Sequence, residues 1–327
     1  MASSHTLVWQ RATVIDRRRL TPRIMRIVVR PQQPVSTPPG SHVDVRLQID
    51  GETVTRSYSI AESEAGGAML AISVFESEVS RGGAKVMHAL TSGDVIEMTQ
   101  PLQDFPLRMG ASFYTLLAGG VGVTAILGMA RALAASGDEY RVVYCGRART
   151  HMAYLDELTQ AHGERVQVHV REEDTSLDVE ALIDGLPEDG ELYMCGPIRL
   201  MDAVRRAWVA RGLAPSRLRF ETFGNSGWFA PEDFTVRVPA LGLEVAVPPS
   251  STLLEALEAA GADALFDCRK GECGLCEARV IGLDGVIDHR DVFYSERQRD
   301  ASSRICVCVS RVCVPAGGHA EISLELS

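Results

Sequence analysis

A chain of 327 residues with 46% hydrophobic and 23% charged side chains has the composition of a globular protein of two or three domains. Its net charge of −10 argues against nucleic acid as a partner, and no apolar run reaches the roughly eighteen residues that span a bilayer. The first residues, MASSHTLVWQR, lack the apolar core of a signal peptide. We therefore expect a cytoplasmic protein, without a membrane partner, whose eight cysteines bind metal rather than form disulfides.

The first third of the chain predicts an antiparallel barrel or sandwich, because short alternating runs are broken by turn signals at 38–40, 50–51, 66–67 and 92–93. A strand carries Arg56-Ser57-Tyr58-Ser59, and its alternation places Arg56 and Tyr58 on one face. A guanidinium there can hold a phosphate through two hydrogen bonds. The motif resembles the Arg-x-Tyr-Ser of ferredoxin reductase-type flavin domains, which implies that the phenol lies against a flavin ring. Taken alone, the same four residues are also compatible with an ordinary strand.

A second candidate phosphate site is the stretch Arg81-Gly82-Gly83-Ala84-Lys85, which precedes a helix predicted at 84–90. Free backbone N–H groups at such a position can bind a phosphate. Lys85 is one of two lysines in the chain and adds positive charge.

From Ser112 the strands alternate with helices, which is typical of a parallel sheet. An apolar strand at 113–118 leads into Gly119-Gly120-Val121-Gly122-Val123-Thr124 and then a helix that Gly137 ends. A strand, a glycine turn and a helix together favour pyrophosphate binding. A turn that needs glycine for packing alone is the alternative.

Further strands are predicted at 141–144, 166–170 and 191–194, with helices at 153–160 and 177–183 and another that begins at Pro197. Arg147 follows the second strand, where the ribose of an adenine nucleotide would lie. The absence of a dense basic cluster there favours NADH over NADPH.

The last third predicts a hairpin at 234–248 and a helix capped by Thr252 and Glu255. Cys268, Cys273 and Cys276 then stand as Cys-x4-Cys-x2-Cys, and Cys308 follows about thirty residues later, which is the plant-type spacing for a [2Fe–2S] cluster. The alternatives are a zinc site, which usually needs two short cysteine pairs, and a group of buried thiols.

The fourth ligand is not settled by periodicity. Cys306 and Cys308 are predicted on the same face of one strand, and Cys313 is predicted further out in a loop.

Two motifs around the cysteine loop, DHRD at 288–291 and CVSR at 308–311, resemble the ferredoxin end of phthalate dioxygenase reductase-type proteins, the reductases of two-component Rieske oxygenases. The resemblance extends over nearly the whole chain and selects Cys308 as the fourth ligand. It implies a flavin-binding antiparallel β-barrel at 1–110, an α/β parallel-sheet NAD-binding domain at 111–226 and a β-grasp [2Fe–2S] ferredoxin domain at 232–327. It also implies that electrons pass from NADH to FMN, to the cluster and to a terminal Rieske-type oxygenase.

The resemblance further implies roles for individual residues. FMN would be bound by Arg56, Ser57, Tyr58, Ser59, Ser73, Val74, Gly82, Gly83, Ala84, Lys85, Thr124 and Phe223. NAD would be bound by Gly119, Gly120, Gly122, Thr124, Arg147, Cys195, Gly196 and Pro197, and the cluster by Cys268, Cys273, Cys276 and Cys308. Ser59 and Cys195 would lie nearest to hydride transfer, with no acid or base required. Ala84 departs from the family's serine, and Cys195 and Phe223 also suit simple core positions.

The net charge of the last third of the chain suggests what kind of protein could dock there. Residues 232–327 carry 9 basic and 16 acidic side chains, a net charge of −7, which favours a partner with a basic docking patch. Plain solubility explains the same charge. A reductase for another acceptor such as a cytochrome P450, a redox-sensing electron carrier and a zinc-binding scaffold are the alternative functions.

Overall fold

The computed structural model describes residues 7–49, 51–77, 82–223, 227, 229, 231–314 and 318–326. The chain divides into two compact units, Met1–Glu221 and Thr222–Ser327. Arg81 and residues 224–226, at the end of the predicted NAD-binding domain, lie outside the described residues. Among the helices that the structure describes, none combines the length and hydrophobicity that crossing a bilayer requires.

The first unit opens with a closed antiparallel barrel in which six strands bury alternate side chains such as Val43, Val45 and Leu47. This confirms the predicted barrel. The helix α1 (Gly83–Ala89) begins and ends within one residue of its predicted bounds. The strands are β1 (Trp9–Thr21), β2 (Ile24–Pro31), β3 (His42–Ile49), β4 (Glu52–Glu64), β5 (Met69–Phe75) and β6 (Val95–Thr99), in the order β1-β2-β5-β4-β3-β6.

The same unit continues into a five-stranded parallel sheet, as predicted. Its strands are β7 (Tyr114–Gly119), β8 (Tyr140–Gly146), β9 (Val166–Val170), β10 (Glu191–Cys195) and β11 (Leu218–Glu221), in the order β11-β10-β7-β8-β9. The helices are α2 (Val123–Ser136), α3 (Leu155–His162), α4 (Val179–Asp184) and α5 (Ile198–Ala210). Every residue of β7 is buried, which explains its uninterrupted apolar sequence.

Side-chain bonds join the barrel to the parallel sheet within this unit. Arg131 of α2 donates to Glu62 of β4 at 3.1 Å. The hydroxyls of Ser73 on β5 and Tyr154 share a hydrogen bond of 2.6 Å. These contacts fix where the barrel strands that carry the flavin motif stand relative to the glycine turn.

The second unit has the β-grasp fold predicted for residues 232–327. One sheet has the order β13-β12-β18-β14-β16, and β15 pairs with β17 in a separate ribbon. Thr252 and Glu255 form the predicted capping box at the start of α6. The elements are β12 (Phe234–Val238), β13 (Leu243–Val247), α6 (Leu253–Ala259), β14 (Glu277–Asp284), β15 (Val286–Asp288), α7 (Glu296–Ala301), β16 (Arg304–Cys306), β17 (Arg311–Cys313) and β18 (Ala320–Glu325).

Two predictions for the late cysteines are wrong. Cys306 and Cys308 do not share a strand, because β16 ends at Cys306 and a turn follows, in which the backbone N–H of Ser310 donates to the carbonyl of Cys306. Cys313 does not lie in a loop, because it pairs with Val286 in the β15–β17 ribbon and is 5% exposed. The alternation of a strand cannot be extended through a hydrogen-bonded turn.

Candidate functional site

The two predicted phosphate-binding stretches of the barrel lie together. The side chain of Arg56 on β4 packs against Gly83 at the start of α1, so closely that a Cβ at Gly83 would lie 3.2 Å from Cγ of Arg56. Gly82 has a φ of 84°, a conformation that suits glycine, and turns the chain into α1. Ala84 is partly buried and Lys85 is exposed in the first turn of α1. The Arg56 side chain and the backbone amides of the Gly82-Gly83 turn therefore lie side by side.

Five further flavin candidates lie on the neighbouring barrel strands β4 and β5, whereas Thr124 lies in the first turn of α2 and Phe223 belongs to the second unit. Ser57 is exposed and donates to Asp44 at 2.5 Å, whereas Ser59 and Ser73 are buried. Burial raises the pKa of Tyr58, so its phenol is neutral at physiological pH. The Val74 carbonyl accepts a hydrogen bond of 2.8 Å from Nε2 of His88.

The glycine turn packs directly against Cys195-Gly196-Pro197. A Cβ at Gly122 would lie 2.2 Å from the carbonyl oxygen of Cys195, and one at Gly119 would lie 2.6 Å from Cδ of Pro197. Gly120 has a φ of 55° and no atom near its missing Cβ. The two motifs are 76 residues apart in the chain at Gly119 and Cys195, yet only glycine lets their backbones approach this closely.

Two other NAD candidates already have protein partners. The buried hydroxyl of Thr124 donates to the carbonyl of Val121 at 2.9 Å, within the turn that begins α2. Arg147, just beyond β8, forms an exposed ion pair of 3.0 Å with Glu172. Thr124 follows the end of β7 and Arg147 follows the end of β8, so both residues lie at the carboxyl edge of the parallel sheet, where open α/β folds bind nucleotides.

The flavin and nicotinamide candidates meet at Glu221. The Ser59 hydroxyl donates to the Glu221 carboxylate at 3.2 Å, and Glu221 stands beside Cys195 in the parallel register of β11 and β10. Glu221 is 2% exposed. Glu221 was not among the predicted site residues, although a carboxylate at the end of a buried strand was a usable signal.

The sequence did not predict Tyr154 as a site residue. It is buried, has a φ of 61°, and its hydroxyl bonds to Ser73. Burial raises its pKa to about 12, so the phenol keeps its proton. No local sequence pattern predicts a left-handed tyrosine.

In the second unit the cysteine loop directs backbone amides at sulfur. The N–H groups of Lys270 and Glu272 each donate to Sγ of Cys268 at 3.4 Å, and that of Leu275 donates to Cys273 at 3.5 Å. Gly271 and Gly274 make the turns possible, each with a φ of 75°. Amides aimed at sulfur stabilise a negatively charged cluster.

The thiols form two contacting groups, Cys268 with Cys273, and Cys276 with Cys306 and Cys308. Hydrogen bonds from Cys306 and Cys308 lower the pKa of Cys276, which favours the thiolate that binds metal. Over the described ranges, no group of three or more His, Cys, Asp or Glu side chains has an arrangement that could hold a single ion. Cys268 with Cys273, and Cys276 with Cys306 or Cys308, would give each of the two irons of a cluster two protein sulfurs.

Three family models match the chain in this order: an oxidoreductase FAD-binding domain over residues 12–106, an oxidoreductase NAD-binding domain over 116–206, and a 2Fe-2S iron-sulfur cluster binding domain over 237–313. The fold and these sites define a flavin-dependent, NAD-linked iron–sulfur oxidoreductase.

The chain is 34% identical over 290 residues to phenoxybenzoate dioxygenase subunit beta of Ectopseudomonas oleovorans, a match that covers 88% of this chain and 87% of that protein. It is 32% identical to vanillate O-demethylase oxidoreductase of a Pseudomonas species, with 83% and 86% covered. The solved structure of phthalate dioxygenase reductase superposes with a TM-score of 0.73 at 28% identity, over 97% of this chain and 98% of that one. The chain belongs to the phthalate dioxygenase reductase-type family, so the resemblance seen in the sequence is confirmed.

Proposed function

We propose that this protein takes electrons from NADH and delivers them singly, through FMN and a [2Fe–2S] cluster, to a terminal Rieske-type oxygenase. When bound, a flavin accepts two electrons as hydride and returns them one at a time, which suits a cluster that takes one. The residues of the protein would hold the flavin and the nicotinamide in position. The observation that carries the proposal is the meeting of Ser59, Glu221 and Cys195 in one buried place, because it joins the candidate flavin strand to the candidate nicotinamide strand.

The domain boundaries follow from the same proposal. The flavin barrel would extend over 1–110, the NAD domain over 111–226 and the ferredoxin domain over 232–327. Each of the three matched family models falls inside one of these ranges. Cys268, Cys273, Cys276 and Cys308 are the proposed cluster ligands.

FMN is proposed over FAD because Arg56 and the Gly82-Gly83 turn offer one compact site for a single phosphate. Mass spectrometry of the flavin released from the protein distinguishes the two. Recovery of FAD as the only flavin would reject this part of the proposal.

NADH is proposed over NADPH because carboxylates already neutralise the arginines near the end of β8. Arg147 pairs with Glu172, and Arg149 pairs with both oxygens of Glu173 at 2.8 and 3.1 Å. A 2′-phosphate would be repelled by the two acids. The ratio of kcat/KM for the two nucleotides tests this preference.

The oxygenase is proposed to dock at the ferredoxin domain, where Cys273 is the exposed member of the cysteine loop. Exposed apolar side chains border it, among them Leu275 and Phe293, whose ring lies against Gly274. Apolar side chains beside the cysteine loop, on a segment (residues 232–327) with a net charge of −7, would suit a partner with a basic rim. NADH-driven turnover of a purified Rieske oxygenase should then fall with rising ionic strength.

One experiment separates the proposal from its alternatives. The holoprotein should reduce both ferricyanide and cytochrome c with NADH, and Cys308→Ser should keep the ferricyanide activity while losing most of the cytochrome c activity. A redox sensor would turn over neither acceptor well. Colourless protein without iron would support the zinc scaffold.

A further inference from the structure

Backbone amides of the cysteine loop donate hydrogen bonds to one of its own sulfurs. The amides of Lys270 and Glu272 converge on Sγ of Cys268, each at 3.4 Å. Such bonds favour the more negative, reduced form of an iron–sulfur cluster, and their number and geometry therefore help to set its reduction potential. A residue that holds these two amides in place therefore influences the reduction potential of the cluster.

Thr222 contacts both of the residues that carry these amides. Its hydroxyl donates to the backbone carbonyl of Lys270 at 2.5 Å, and its own N–H donates to the carboxylate of Glu272 at 2.7 Å. Thr222 is 4% exposed, so water does not readily replace either bond. A residue 46 positions before Cys268 in the chain thus ties down the loop on both sides of Gly271.

We propose that Thr222 is a positioning residue that raises the reduction potential of the cluster by holding the Lys270 and Glu272 amides against Cys268. The inference rests on the proposed function, since it takes Cys268 as a cluster ligand. The bonds of Thr222 go to the Lys270 carbonyl and the Glu272 carboxylate and not to a ligand sulfur, so Thr222 acts through the loop.

The hydroxyl is the part of Thr222 that can be removed with little change of shape. Thr222→Val keeps the branched side chain but leaves the partly buried Lys270 carbonyl without this donor. A carbonyl that loses a bond shifts toward another partner, and the Lys270–Glu272 segment moves with it. The amides then bond less well to sulfur, so the reduced cluster is less stable.

The test is a potentiometric titration of the purified holoprotein, followed by the EPR signal of the reduced cluster, for the wild type, Thr222→Val, Thr222→Ser and Thr235→Val. At the wild-type midpoint potential, Thr222→Val should show a ratio of reduced to oxidised cluster about fivefold lower, the size expected for one net hydrogen bond. Thr222→Ser keeps the hydroxyl and should match the wild type. Thr235 is a partly buried threonine on β12 that bonds to His319, so Thr235→Val controls for loss of a hydroxyl elsewhere in the unit.

An unchanged midpoint in Thr222→Val, at wild-type iron content, would overturn the proposal. If the valine variant loses its iron, Thr222→Ala is titrated in its place, and loss of iron from both would assign Thr222 a purely structural role and would also overturn it. Wild-type protein that binds no iron would instead reject the proposed function, so the two failures are distinguishable.

Discussion

The hydroxyl of Ser59 donates a hydrogen bond of 3.2 Å to the carboxylate of Glu221, 162 residues further along the chain. One residue lies on a barrel strand and the other at the end of the parallel sheet, beside Cys195. The bond therefore connects the strand proposed to face the flavin with the strand proposed to face the nicotinamide, inside one compact unit.

Removing this hydroxyl should affect hydride transfer and stability together. Ser59→Ala takes one hydrogen bond from a buried carboxylate, which costs about 1–3 kcal/mol of unfolding free energy. We expect NADH-driven ferricyanide reduction to fall about tenfold, the effect of some 1.4 kcal/mol on a barrier. Ser63→Ala, an exposed serine on the same strand, is the control and should change neither quantity. A wild-type rate in Ser59→Ala would show that the bond has no part in positioning the reactants.

The close approach of the glycine turn to Cys195 makes a second prediction. In Gly122→Ala the new Cβ would lie 2.2 Å from a backbone carbonyl oxygen, so the turn must move away from β10. We expect the KM for NADH to rise by at least about tenfold and the melting temperature to fall.

Gly128→Ala is the matched control for Gly122→Ala. Gly128 lies inside α2, and its Cβ would meet nothing closer than Cα of Pro39 at 3.7 Å. Alanine in a helix interior should raise stability by about 0.5–1 kcal/mol and leave the KM unchanged. An unaltered KM in Gly122→Ala would show that the turn does not bind the nucleotide.

The choice between Cys306 and Cys308 is testable by the cluster itself. Both thiols contact Cys276, so proximity alone does not select the ligand. We expect Cys308→Ser to abolish cluster assembly and Cys306→Ser to retain iron, sulfide and the visible absorbance. The opposite result would make Cys306, the last residue of β16, the fourth ligand.

Glu62 gives the first unit a pH-dependent contribution to stability. Burial alone would raise the pKa of Glu62, but the hydrogen bond and charge of Arg26, with those of Arg131, hold it below the ordinary value. A lowered folded-state pKa means that the contribution is present above the unfolded pKa and is lost as pH falls through the folded one.

Glu62→Gln should therefore destabilise the protein by about 1–2 kcal/mol at pH 7 and by progressively less as the pH approaches 3. Urea unfolding followed through the fluorescence of buried Trp208 measures this. Glu64→Gln, an exposed acid at the end of the same strand, is the control. A loss of unfolding free energy in Glu62→Gln that stays constant between pH 7 and pH 3 would contradict the link between the Glu62 pKa and stability.

Most of the fold could be predicted from the sequence, because it is specified by local patterns. The alternation of apolar and polar residues predicted the barrel strands, and the apolar run at 113–118 predicted the central parallel strand. Gly137 and Thr252 marked the end of one helix and the start of another, through their backbone and capping preferences. Helix α7 was missed even though Ser295 and Gln298 form a capping box there, since six mostly polar residues show no periodicity.

The candidate site was only partly predictable. Its motifs were visible one by one, but their contacts depend on tertiary structure: Arg56 against Gly83, and Gly122 against Cys195. Tyr154 could not have been found, because its partner Ser73 is 81 residues away and its left-handed backbone is disfavoured by its own side chain. The turn after Cys306 was hidden because the residues around it are as apolar as a strand.

Tyr154 holds its backbone in a conformation that costs roughly 1 kcal/mol, and in return its phenol reaches across to Ser73. The hydrogen bonds Tyr154–Ser73, Ser59–Glu221 and Arg131–Glu62 connect the barrel to the parallel-sheet part of the unit at three separate places. All three bonds lie inside one compact unit. The strand proposed to face the flavin and the strand proposed to face the nicotinamide are therefore held together by the folding of that unit.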